Sequence, residues 1–287
     1  MTAHVAEHGE GRGRVVLAAT CASPIARTAI DGAIDLARAF DAEIEALMIE
    51  DRQLAEIGAY PFARQIGFSG RISAWPDADV VETGMRLVGK AAARDFERKS
   101  RASSIGLVCR FVVETPLRAV QHACQSMGPW NVVALTQSTG AASLASAGRL
   151  FDRVTGMTGV LLPAQRPAAP AARIVALVED EDRIAGMLRT AERLARPLGA
   201  EVVLACWAQR SAERKALLSA ANKSHKAVSG ELVEIARSGA GADAIGEALR
   251  RLRPHTVIAV NGGIASPAGE ARAPFGDALD ASVLLVR

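Results

Sequence analysis

Short unbroken apolar runs recur along this chain, separated by longer stretches in which apolar residues fall three and four apart. Residues 14–20, RVVLAAT, make the first run; a run this short and this apolar suits a parallel strand buried on both faces. A helix follows, with Ser23 as its cap, Pro24 in its first turn, and Ile25, Ala29, Ala33, Leu36 and Ala37 at helical spacing. The next run, EIEALMIE, closes a β-α-β unit whose crossover is expected to be right-handed. Residues 51–79 break the rhythm with glycine, proline and the aromatics Tyr60, Phe62, Phe68 and Trp75, and read as an insertion. Periodicity resumes in a helix over residues 79–102, with Val80, Met85, Leu87, Val88, Ala92 and Phe96 as its apolar members. Strand GLVCRFVV, helix PLRAVQHACQSM, strand NVVAL, a small-residue loop TQSTGAASLASAGR, a helix around GRLFDRV and strand GVLLP complete the set. Strands alternating with helices in this way predict a parallel, doubly wound sheet.

The rhythm then restarts. Residues 164–172 are rich in proline and alanine and carry no apolar face, so they read as a linker. Beyond them RIVALVE mirrors RVVLAAT, and RLARPLGAEVVLA mirrors DLARAFDAEIEAL, with Leu36 against Leu194 and Glu43 against Glu201. The expected organisation is a tail over residues 1–13, a first α/β domain over 14–163, the linker, and a second α/β domain over 173–287. The last run, SVLLVR, is expected at a sheet edge, which either a partner shares or contact between the two domains buries together with GVLLP.

Charge and cysteine content narrow the functional classes. There are 34 basic and 31 acidic side chains, interleaved, giving a net charge of +3, so neither nucleic acid nor an anionic membrane is implied as partner. Cys21, Cys109, Cys124 and Cys206 form no C-x-x-C pair and the five histidines form no cluster, so no zinc site or disulfide framework is expected. With no long uncharged apolar segment and no signal-peptide core, the expectation is a cytoplasmic protein. Cys21, beside an expected helix N-terminus, reads either as a redox-sensing thiol or as a small core residue. The aromatic insertion reads either as a cover for a ligand or partner or as satellite core. No nucleophile elbow, G-x-x-x-x-G-K-[ST] loop or HExxH is present, so no enzyme is expected.

The order of these segments, with the SP-capped helix, VVETPLRAVQHAC, NVVALTQ, the small-residue loop, GRLFDRV and VLLP, resembles a universal stress protein domain, twice over. The resemblance implies two doubly wound parallel sheets of five strands each, ordered 3-2-1-4-5. It also implies a homodimer or an intramolecular pseudo-dimer through terminal strands, an unknown protein partner, and in some members ATP or AMP bound at G-x2-G-x9-G-[ST] after the fourth strand. Setting the third glycine at Gly148 places Leu135 and Ser138 at the first two and Arg149 at the hydroxyl position. In the second domain Gly263 and Gly276 have the spacing, with Ser266 at the middle position and Asp277 where Ser or Thr is expected. The first strand's end, where binding members place an aspartate, carries Ala19 and Thr20 in one domain and Glu179 and Asp180 in the other. The positions implied for a ligand are therefore Thr20, Val112, Ser138, Gly140, Gly148, Arg149, Glu179, Asp180, Gly263, Ser266 and Gly276, with Thr136, Thr139 and Ser143 as further hydroxyl donors. The expected function is a non-enzymatic stress-response protein, weak or inactive toward ATP and AMP, acting through protein contacts. The alternative is a ligand sensor or enzyme using the crevice at the sheet's carboxyl edge, with nucleotide mainly in the second domain.

Overall fold

The apolar runs become the strands of one continuous sheet. The computed structural model describes residues 13–21, 25–57, 60, 62–67, 69–74, 77–125, 131–136, 141–166, 173–225, 230–235, 242–265 and 279–287. Its first half comprises β1 (Arg14–Thr20), α1 (Arg27–Phe40), β2 (Glu43–Glu50), α2 (Arg52–Ile57), the hairpin β3 (Arg64–Ile66) and β4 (Ile72–Ala74), and α3 (Ala78–Ser103). It continues through β5 (Leu107–Val113), α4 (Pro116–Gln125), β6 (Asn131–Leu135), α5 (Ala141–Arg153) and β7 (Met157–Leu162). The second half comprises β8 (Arg173–Val178), α6 (Ile184–Leu198), β9 (Glu201–Cys206), α7 (Ser211–His225), β10 (Gly230–Glu234), α8 (Ala242–Arg251), β11 (Pro254–Val260) and β12 (Ser282–Val286).

Ten strands lie in the order β10-β9-β8-β11-β12-β7-β6-β1-β2-β5. Each half runs third, second, first, fourth, fifth, and all neighbours within a half are parallel. The halves meet where β7 and β12 pair antiparallel, Leu162 opposite Val283 and Gly159 opposite Val286. SVLLVR is therefore not an edge: β12 has β11 on one side and β7 on the other, so the terminal strands satisfy each other inside the chain.

Alternation along the strands builds two cores. Val15, Leu17 and Ala19 face a layer holding α1, α3, α6 and α7, while Val16 and Ala18 face one holding α4, α5 and α8. On the first face α1 packs directly against α6 across the junction between halves. Burying this much aliphatic surface, at roughly 25 cal/mol per Å2, is the dominant stabilising term. At the start of β1 the buried Arg14 donates to the Glu45 carboxylate and to the Ala123 carbonyl, and to Asn131 Oδ1 at 3.2 Å, tying β1 to β2, α4 and β6.

Three local expectations are corrected. Helix α1 begins at Arg27 with Ala26 as its flanking residue, two residues after Ile25, the first apolar member expected of it; the expected cap Ser23 and Pro24 lie outside the described residues. Most of TQSTGAASLASAGR is helix, since α5 starts at Ala141: alanine is the strongest helix former, and Ala147, Leu150, Phe151 and Val154 recur at helical spacing to bury against the sheet. In α3, Val80 and Leu87 are exposed and only Met85, Gly89, Ala93, Phe96 and Ser100 are buried.

Candidate functional site

Strands β1 and β6 lie side by side, and their following helices leave on opposite faces, α1 on one and α5 on the other. At the carboxyl ends of such a strand pair the chain cannot fill the space between the diverging connections, so a crevice opens. In the first half it encloses about 560 Å3, within the usual range for a small-molecule site. Its floor is apolar, from Ala18, Ile49 and Leu135, and Leu117, Val120 and Leu150 wall it from α4 and α5. The polar rim is made of hydroxyls and cations: Thr20 ends β1, Thr115 precedes α4, Thr136 follows β6, and Ser146, Arg149 and Arg153 lie along α5. Arg149 Nη2 donates to Ser146 Oγ at 3.1 Å, which orients the guanidinium along the helix. Gln53 of α2 closes one side, beside a smaller recess of about 360 Å3 that contains Arg52 and Arg118. Among the described residues the lining of the larger crevice holds no carboxylate, imidazole or thiol. It can bind an anionic group by charge-assisted hydrogen bonds, but it offers a hydroxyl no base to activate it.

At the matching strand end in the second half the chain supplies its own carboxylate. Arg14 and Arg173 pair with Glu43 and Glu201 at the starts of β1 and β8, so Thr20 and Glu179 occupy equivalent positions at the strand ends. Both Glu179 carboxylate oxygens accept the Ile264 backbone N–H, at 3.1 and 3.0 Å. A Cβ on Gly263 would stand 2.4 Å from Glu179 Oε1, so the glycine is what lets the carboxylate lie against the loop. Burial pushes the Glu179 carboxyl above its ordinary value, with the Ile264 N–H pulling it back. A built-in carboxylate thus sits on the loop amide at the second half's switch point.

The remaining implied positions are dispersed. Val112, on β5, packs into the α4-side core and does not line the crevice. Gly148 lies within α5, and a Cβ there would meet nothing within 4 Å, so it is not a close-approach glycine. Asp180 accepts the Asp182 N–H at 3.2 Å and caps the short turn Glu181–Arg183. Ser138, Thr139, Gly140, Ser266 and Gly276, with Asp277, Phe68 and Trp75, lie outside the described residues, and so does the side chain of Ser143. Tyr60 and Phe62 are exposed, their ring centroids 5.7 Å apart. Cys21 is buried, and burial with the nearby Glu50 carboxylate pushes its thiol up to about 11, so its environment is that of a core residue, not an activated thiol. His255 is half-buried and faces Asp35 of α1 at 3.8 Å across the two halves. Sequence reasoning missed Thr115, Ser146, Arg153 and Gln53. The Thr-Pro pair after a strand was a usable signal for the first; the others are brought in by helix phase and tertiary placement.

The fold and its crevice define a class: a two-half, doubly wound α/β protein whose ten-stranded sheet carries an open switch-point crevice in the first half. No known family of protein sequences matches the chain, nor does any curated protein. Solved structures do. A universal stress protein from Archaeoglobus fulgidus DSM 4304 matches with a TM-score of 0.64 at 12% identity, over 95% of this chain and 96% of that one. A protein from Pseudomonas aeruginosa UCBPP-PA14, assigned provisionally to the universal stress proteins, matches with a TM-score of 0.56 at 15% identity, over 96% and 92%. The cytoplasmic domain of a prokaryotic cation chloride cotransporter matches with a TM-score of 0.50 at 9% identity, over 96% and 94%. At such identities the likeness is one of fold: the chain has the universal stress protein fold across nearly its whole length. Among the described residues no helix is long and apolar enough to cross a membrane.

Proposed function

We propose that this chain is a non-enzymatic, cytoplasmic stress-response protein of the universal stress type that senses a small anionic ligand in its first half. The observation that carries the reading is the contrast at Thr20 and Glu179: one strand end leaves an open crevice rimmed by hydroxyls, Arg149 and Arg153, and the other supplies its own carboxylate. An apolar floor with a cationic rim suits a ligand with a flat or apolar body and one anionic group, the chemistry of a nucleoside monophosphate. A triphosphate is disfavoured, because the five residues between β6 and α5, TQSTG, include one glycine only. Among the described residues the crevice lining offers its hydroxyls no side-chain base, which is in keeping with binding without turnover. Free thiols at all four cysteines suit a reducing compartment.

Calorimetric titration of the full chain with AMP and ATP tests this. AMP binding in the micromolar to sub-millimolar range is expected, stronger than ATP, weakened about tenfold by Arg149→Ala as one charge-assisted contact is lost. Glu179→Gln is expected to leave it unchanged. No heat with either nucleotide would refute nucleotide sensing.

A further inference from the structure

The two free edges of the ten-stranded sheet are built differently. β10 at one end carries Glu231 and Glu234, paired with Arg173 at 3.2 Å and Arg214 at 2.6 Å, and charges on an edge strand discourage further pairing. β5 at the other end reads LVCRFVV, with Val108 40%, Phe111 46% and Val113 65% exposed. Its one charge, Arg110, is held by Glu45 of β2 at 2.8 Å. Phe111 lies beside α3, 3.1 Å from where a Cβ on Gly89 would be, and α3 exposes Val80 and Leu87 seven residues apart on one helical face. A long apolar edge is a template for another strand.

We propose that β5 is the interface through which two copies of this chain pair, edge to edge and antiparallel, about a two-fold axis at Phe111. Three observations favour a second copy over an unrelated partner. The terminal strands that would otherwise join two chains are already consumed in the β7–β12 pair, which leaves β5 as the apolar edge. The β5 sequence is self-complementary in this register: Phe111 meets its own copy, Cys109 meets Val113, and Arg110 meets Val112, with no like charges directly opposed. The Gly106 carbonyl is turned toward β2, accepting the Ile44 N–H at 2.9 Å, so by strand alternation the outward backbone groups are those of Leu107, Cys109, Phe111 and Val113, the set this register pairs. The chain's own junction shows the same construction, an antiparallel strand pair closing two parallel halves into one sheet.

Sedimentation equilibrium of the full chain at micromolar concentration tests the interface. The parent chain is expected to be dimeric. Phe111→Lys and Phe111→Glu, each folded by circular dichroism, are expected to weaken dimerisation by on the order of a hundredfold through like charges across the axis. Mixing the two variants in equal amounts is expected to restore a dimer, because Lys then faces Glu. Val113→Lys, at a more exposed position, repeats the loss without touching α3. A parent chain that stays monomeric, or a dimer unmoved by Phe111→Lys and Val113→Lys, overturns the interface; a variant mixture that stays monomeric overturns the register.

Discussion

At the scale of single residues, the difference between the two halves rests on what ends the first strand. Thr20 is short and neutral and lines an open crevice, while Glu179 reaches across to accept the Ile264 N–H. The energetic sign follows from the raised carboxyl. A folded pKa above the unfolded value of 4.5 means that the stability linked to this proton is fully present below that pH and is lost as pH rises through the folded value. Glu179→Gln carries no such loss, so its urea midpoint at neutral pH should equal or exceed the parent's, and the difference should vanish in acid where Glu179 is protonated. Glu179→Ala leaves the amide without its acceptor and should cost about 1–3 kcal/mol at either pH. A Gln variant less stable than the Ala variant at neutral pH would contradict this account. Of this pair, the residue types and the strand-end position were legible in sequence; that a carboxylate would turn inward onto its own loop was not, because that depends on Gly263 standing across from it.

Among the elements, α3 and α5 show where pattern reading holds and where it slips. The long period of α3 was plain, but its phase was misassigned at Val80 and Leu87, since apolar residues recur around more than one face of the helix and only its seating on β2 and β5 selects the buried one. That seating brings Gly89 against β1's end: a Cβ there would lie 2.8 Å from Cys21 Sγ and 3.1 Å from Phe111 Cε1. Gly89→Ala gains helix propensity of up to about 1 kcal/mol but overpacks a site where such strain costs about 1–3 kcal/mol. The substitution should therefore destabilise the parent, and should become neutral or stabilising in a Cys21→Ala background, as a double-mutant cycle of denaturation midpoints reports. In α5 the small residues suggested a phosphate-type loop, yet the same alanines are strong helix formers, and the helix wins from Ala141 onward. Helix α7, SAERKALLSAANKSH, escaped notice because its apolar residues are few, Leu217 and Ala221 being its buried ones.

For the whole molecule, the β7–β12 pair makes two halves into one sheet. Gly159 sits at this seam, where a Cβ would stand 3.0 Å from the Leu285 carbonyl oxygen. Gly159→Val should push the strands apart at a cost of roughly 2 kcal/mol. The parent should unfold in one urea transition, with far-UV circular dichroism and tryptophan fluorescence coincident, and the variant should shift both signals together. Two resolved transitions in the parent would show that the halves are independent units. The α1–α6 contact and the Asp35–His255 pair add to this seam; the meeting of GVLLP and SVLLVR was expected in sequence from the resemblance, and these two contacts were not.

By itself the sequence determined the α/β class, the alternation of strands and helices and the restart near residue 173, because apolar period and strand length are local properties that survive in one dimension. Tertiary structure alone decided that the two halves share one sheet, where a strand-end crevice opens in the first half, and which apolar residues of α3 and β5 are left on the surface. Those outcomes depend on residues more than a hundred positions apart meeting at contact distance, and steric fit and solvent exclusion at such meetings have no signature in the spacing of any one segment.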